Sequence, residues 1–256
     1  VDSPVVRTGP AFEPTGVPLR VLCYNVHGQR DDVTALGEVV RAAAADVVIV
    51  QEAPRRFGWR YGCAALARRF GLLVAAGGLP GLGNLLLTNH RVRVERTWYV
   101  RYPLTPGRHL RGAALASCRV GPAVATGGRG ATGAARFVLA GAHLATDPVE
   151  RPNQARLLKA ELDAEALPVI CGADVNETAE GSAWRTLAAG LTDPAEVTGN
   201  AGRGTFPARD PRRRIDVVLV DSRIGVLGYR VLDDPACRVA SDHLPILVDL
   251  LLPVTG

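Results

Sequence analysis

Four apolar runs in this chain end in, or just before, Asn, Glu, His or Asp, and a fifth is opened by such residues. Residues 19–26 carry Asn25 near their end, 47–50 lead to Gln51-Glu52, 137–142 to His143, and 168–173 to Asp174. The fifth run, 244–252, is opened by Ser241-Asp242-His243. Runs of this length bounded by turn residues read as buried strands. A charged or polar group at the mouth of a buried strand is costly unless it has partners. Five such mouths in one chain therefore predict one convergent polar site.

Composition limits the rest. The chain has 256 residues, 47% of them hydrophobic, which is enough for one α/β domain with a large core. No apolar run approaches the ~18 residues of a membrane span, so no transmembrane segment is expected. The net charge is +5 with a single lysine, Lys159, so the cationic surface is almost wholly arginine. That favours an anionic partner and suits bidentate phosphate contacts. The five cysteines show neither metal-type spacing nor the even count of a disulfide framework; Cys63 and Cys237 could pair, though nothing in the spacing demands it. The chain starts at Val1 and contains no Met, which reads as a processed chain. Its compartment, cytoplasmic or secreted, stays open, and a monomer is expected.

Along the chain, residues 1–18 hold four prolines and two glycines and read as an extended arm. Residues 19–256 then form a single domain without internal repeat. Asp31 or Asp32 can cap a helix reaching about Ala45. A basic helix is expected over about 57–70, a β-rich middle over 72–120, and a glycine-rich hairpin loop over 121–135. A helix over 150–166 should bury Leu157, Leu158 and Leu162, and 203–214 is a basic, Pro-containing loop. The alternation of strands and helices indicates an α/β fold.

The polar residues divide by chemistry. Glu52, after a run as apolar as 47–50, fits the one or two carboxylates that Mg²⁺ prefers, with Asn25 as a neutral neighbour. Asp174 and Asn176 stand two apart in an extended segment and point to the same side. One can accept a proton; the other can only hydrogen-bond. Asp216, between apolar neighbours at a strand start, needs a donor, and His243 is the evident one. A carboxylate that holds an imidazole fixes its tautomer and raises its basicity. Asp242 is then free to face a metal or its water. Ser241 beside His243 invites a serine-hydrolase reading, but no Gly-x-Ser-x-Gly elbow exists.

Seven segments together resemble the endonuclease/exonuclease/phosphatase superfamily of DNase I-like, metal-dependent phosphoesterases. They are residues 24–28 (YNVHG), Gln51-Glu52, 111–115 (RGAAL), 142–144 (AHL), 172–176 (GADVN), Arg214-Ile215-Asp216 and 241–245 (SDHLP). The resemblance covers roughly residues 19–252 and implies a four-layer α/β sandwich, two mixed β-sheets face to face with helices outside. It further implies Mg²⁺ or Mn²⁺ at Glu52, with Asn25 and Asp242 close by. It implies Asp174 as the group acting on the attacking water, and Asn176 holding that water or the phosphate. His143 and His243 would donate to phosphoryl oxygens, Asp216 would hold His243, and Arg111 would add a positive contact. One departure is Ala173, where the family has Gly before the catalytic Asp. For the substrate-contacting Tyr of abasic-site enzymes, Tyr99 and Tyr102 are the candidates by location. The implied substrate is a phosphate ester. With Arg108, Arg111 and 209–214, a nucleic acid is favoured over inositol phosphates, nucleotides or sphingomyelin. A non-catalytic binding module is the rival from another class.

Overall fold

The computed structural model describes residues 16–121 and 133–254; most of the expected arm, and most of the glycine-rich loop over 121–135, lie outside them. The described residues form two six-stranded sheets. In chain order the first nine strands are β1 (Val17–Asn25), β2 (Val47–Gln51), β3 (Leu73–Gly77), β4 (Leu85–Thr88), β5 (Val92–Arg101), β6 (Gly112–Val120), β7 (Ala135–His143), β8 (Val169–Asp174) and β9 (Leu191–Thr192). β10 (Asp216–Asp221), β11 (Gly225–Val231) and β12 (Ile246–Leu252) complete them. One sheet runs β11-β12-β1-β2-β4-β3, the other β5-β6-β7-β8-β10-β9. β1 already includes Val17 and Pro18, paired with Leu252 and Leu251, so the first strand begins two residues before the expected Leu19.

The apolar runs lack the usual in-out alternation because both faces of their strands are covered. Val21, Cys23 and Ile49 point between the sheets, where Ala116, Leu139, Ile170 and Val218 meet them. The alternate residues Leu22, Tyr24, Val48 and Val50 point outward onto helices α1 (Val33–Ala43) and α2 (Trp59–Phe70). On the far side, Val138, Ala140, Cys171 and Val217 pack under α3 (Arg151–Asp163) and α4 (Ser182–Ala188). The result is the four-layer sandwich. Two register partners, Gly141 and Gly172, let it close: a Cβ on either would stand 2.8 Å or less from Ile49.

Local signals explain the helices. Asp32 caps α1, accepting from Thr34 N and Ala35 N. Gly71 ends α2 in the left-handed region that favours glycine. Leu157 differs from expectation: it lies on the exposed flank of α3, while Leu158 and Leu162 are buried. β11 and the short helices α5 (Pro194–Val197) and α6 (Cys237–Ala240) lacked a strong periodic signal. All five cysteines are buried and free, so Cys63 and Cys237 do not pair.

The topology places every expected site residue at one rim. β1 and β2 are parallel, with Asn25 opposite Gln51, and Glu52 follows directly. β7 and β8 are parallel, with His143 opposite Asp174. β10 runs antiparallel to β8, so its first residue, Asp216, lies opposite Asp174 as well. β12 runs antiparallel to β1, with Ile246 opposite Cys23, which carries residues 241–243 to the same end.

Candidate active site

The centre of the rim is Asp174, buried at the end of β8. Its Oδ2 accepts from Asn25 Nδ2 at 2.8 Å, a bond that joins the two sheets. His143 Nε2 stands 3.2 Å and His243 Nε2 3.8 Å from the same oxygen. Asn176 N donates to Oδ1 at 3.0 Å. Burial first, then the Asp216 charge, pushes the Asp174 carboxyl up to about 7, with His243 and the Asn25 bond acting in the other direction.

The two imidazoles differ in charge. His243 Nδ1 donates to Asp216 Oδ2 at 2.9 Å, as the sequence suggested. Burial opposes a charged ring there, but Asp216, Asp174 and Asp242 outweigh it and push His243 up to about 10. His143 is held well below the usual histidine range by burial, and then by Arg111, His243 and Arg55. Arg111 approaches His143 Nδ1 at 2.8 Å. Arginine only donates, so Nδ1 carries the lone pair and Nε2 the hydrogen, which faces Asp174. The Asn176 amide, 3.1 Å from Nε2, gives its hydrogen to Leu144 O at 3.0 Å instead.

Ser241 is not placed as a nucleophile. Its Oγ donates to Asn25 O at 2.7 Å and fixes the approach to β12. Two residues were not read from the sequence. Phe206 packs its ring on His243, centroids 4.8 Å apart. Thr205 Oγ1 receives Ile215 N and Asp216 N, and Thr205 O receives Leu244 N at 2.7 Å. An aromatic ring inside an otherwise polar, basic loop was the available signal.

The metal-binding expectation can be tested against chemistry on the page. Glu52 makes no hydrogen bond or ion pair among the described residues and has a φ of 58°, a strained value for a non-glycine residue. Asp242 Oδ1 is buried without a hydrogen-bond partner, with His27 Nδ1 at 3.7 Å. Two carboxylates with uncommitted oxygens, plus the Asn25 carbonyl, are hard donors of the kind Mg²⁺ takes. They fit a divalent cation. Asp174, Asp216 and His243 also lie within ligand reach of one another; Asp174 Oδ2, Asp216 Oδ2 and His243 Nδ1 are engaged in the bonds just described, while Asp216 Oδ1 is buried without a hydrogen-bond partner. His27, Gln29, Glu52 and Asn176 all have positive φ, so backbone strain gathers at this rim.

Of the arginines and tyrosines expected to face substrate, Arg214 and Tyr102 are buried. Arg214 is buried, paired with Asp193 at 2.7 Å and stacked on Trp184. Arg108 pairs with Asp147, and Arg212 with Asp210. Tyr102 is buried, which removes it as a substrate contact, and Tyr99 OH receives Gly77 N at 3.5 Å. Beside Asp242 a cavity of about 590 Å³ opens, bounded by Asp31, Pro207, Arg209 and Arg238.

No curated protein matches the chain by sequence. Solved structures do match in fold. The catalytic domain of human nocturnin superposes with a TM-score of 0.71 at 17% identity, covering 92% of this chain and 95% of that one. A mannosyl-6-phosphatase from Bacteroides thetaiotaomicron VPI-5482 gives 0.71 at 18%, covering 91% and 100%. TDP2 from D. rerio, in complex with a single-strand DNA product, gives 0.69 at 18%, covering 91% and 98%. At such identities the likeness shows the fold, two facing mixed sheets with outer helices. The sequence itself matches the family described as endonuclease/exonuclease/phosphatase over residues 22–243. The chain belongs to that family, whose members are phosphoesterase hydrolases.

Proposed function

We propose that this protein is a divalent-metal-dependent phosphoesterase that cleaves phosphodiesters of DNA or RNA by attack of water. The observation that carries the reading is the placement of Asp174 between two imidazoles of different charge, His143 at 3.2 Å and His243 at 3.8 Å. Phosphate-ester cleavage asks mainly for positioning and for neutralisation of developing charge. Asp174 orients the attacking water and takes its proton, while Asn25 and Asn176 hold the carboxylate in place. His243, fixed by Asp216, turns its Nε2 hydrogen toward a phosphoryl oxygen. His143 and Arg111 form a second donor group beside it. Asn176, within 3.1 Å of His143, borders the place for the phosphate or the water. Glu52 and Asp242, with Asn25, would hold Mg²⁺ or Mn²⁺. When bound, such a cation supplies Lewis-acid charge at the phosphate.

The preference for nucleic acid rests on the net charge of +5 and the exposed arginines of the 203–213 loop. The ion-paired state of Arg108, Arg212 and Arg214 favours the second reading, a monoesterase acting on a smaller phosphorylated molecule. A substrate panel separates them: DNA and RNA oligonucleotides, bis(p-nitrophenyl) phosphate, p-nitrophenyl phosphate, inositol and sugar phosphates, and sphingomyelin, each with Mg²⁺ and with chelator. Metal-dependent cleavage of oligonucleotides is expected. Chelator-resistant turnover, or turnover of monoesters alone, refutes it. Glu52→Gln and Asp242→Asn should each raise the Mg²⁺ concentration needed for half-maximal rate by ~10–100-fold.

A further inference from the structure

The segment that follows Glu52 has a composition the site does not account for. No Asp or Glu occurs between Glu52 and Glu95, while seven arginines do. Within it, Phe57 is fully exposed and Tyr61 is 78% exposed. Arg56 and Arg60 are exposed too, and neither meets a carboxylate among the described residues. Arg60 lies over the Trp59 ring at 4.6 Å, whereas the Phe57 and Tyr61 rings make no ring contact among the described residues.

Single exposed aromatic residues are common and need no explanation. This group differs in two respects. First, its support is rigid. Ala53 N donates to Gly83 O at 2.8 Å, and Arg55 donates to Leu82 O and Leu110 O at 3.0 Å each. Cys63 Sγ reaches Pro54 O, and Gly62 closes against the Pro54 ring. Trp59 N returns to Arg56 O at 3.0 Å, which sets Phe57 at the tip of a tight turn. Second, the turn begins at the rim. Phe57 is five residues beyond Glu52, so its Cα lies within ~18 Å of that of Glu52. A chain whose phosphate sits at the rim can pass over it.

Resting on the nuclease reading above, we infer that Phe57 and Tyr61, with Arg56 and Arg60, form a stacking platform for unpaired bases of a single-stranded nucleic acid. Aromatic faces take any base, and unpaired arginines between them follow the backbone phosphates. The absence of acidic residues keeps the track free of repulsion. The platform predicts preference for single strands over duplexes, whose bases are already stacked.

The test uses two fluorescent probes of equal charge, octathymidylate and an abasic octamer of the same length. Binding is read by anisotropy with Mg²⁺ in an Asp174→Asn background, so that the probe is not consumed. The parent should hold octathymidylate more tightly than the abasic octamer. Phe57→Ala with Tyr61→Ala should weaken octathymidylate by roughly 5- to 150-fold, the effect of losing one stacked base, and bring the two probes level. Phe57→Trp should retain the difference. Both residues are exposed, so thermal melting should be unchanged, and a lowered melting point would direct the comparison to Phe57→Trp alone, which must keep the preference. Equal affinity of the parent for both probes overturns the inference. So does a double variant that keeps the difference, or one that loses only binding to phosphatidylserine vesicles. If the unmodified enzyme cleaves oligonucleotides and the double variant binds them normally, only the platform is wrong. If it cleaves no oligonucleotide at all, the nuclease reading fails and the platform fails with it.

Discussion

Asp216→Asn tests the geometry most directly, because Asp216 touches the rest of the site only through His243 and its neighbours. Asparagine keeps an oxygen to accept the Nδ1 hydrogen and removes the charge. The net rise of His243 from 6.5 to about 10 corresponds to roughly 5 kcal/mol, at ~1.4 kcal/mol per pH unit, left after the surrounding carboxylates overcome the burial that opposes a charged ring. Asp216 is the nearest, at 2.9 Å, and takes the largest part, about 3 kcal/mol. The sign follows from the direction of the shift. A histidine with a raised pKa in the folded protein contributes stability that is fully present below its unfolded value of 6.5 and is lost as pH rises through about 10. The difference in unfolding free energy between wild type and Asp216→Asn should therefore be about 3 kcal/mol near pH 6 and shrink steadily toward pH 10. Urea unfolding in chelator, at four pH values, measures it. The Asp174 carboxyl, which the Asp216 charge raises, changes the difference in the same direction as pH rises, and titration of groups outside the reach of Asp216 cancels. An NMR titration of the five histidines should show one midpoint move down by about two units. A difference that stays constant with pH, or grows, would refute the charged pair.

Asp174→Asn should lower hydrolysis by ~10² or more, and also stabilise the metal-free protein above pH 7, because it removes a carboxylate whose ionisation burial opposes. A variant that is less active and also less stable would argue against that burial cost. Gly172→Ala places a Cβ 2.6 Å from Ile49 Cδ1 and should cost ~1–3 kcal/mol, with Ile49→Val recovering part of it; calorimetry of the two singles and the double reads the coupling. Arg214→Ala should destabilise by ~3–5 kcal/mol through the loss of its buried pair with Asp193. It should leave the salt dependence of oligonucleotide binding unchanged, and a shallower slope would return Arg214 to the substrate surface.

Much of this protein was legible in one dimension. Apolar runs that ended in polar residues named β1, β2, β7, β8 and β12 and the residues at their mouths, because a strand buried on both faces must be apolar throughout. The Asp174–Asn176 spacing and the need of Asp216 for a donor were visible for the same reason: burial makes a polar group declare its partners. The sequence did not contain the identity of neighbours brought together by sheet packing. That Asn25 bridges to Asp174 across 149 positions depends on two sheets closing over Gly141 and Gly172. That Arg214 is spent on Asp193, while Arg56 and Arg60 meet no carboxylate among the described residues, depends on which loops meet, and local charge runs carry no record of that. The neutrality of His143 and the charge of His243 were likewise settled in three dimensions. Two identical side chains at similar strand ends acquire different states because burial and Arg111 disfavour charge on one, while Asp216 outweighs burial at the other.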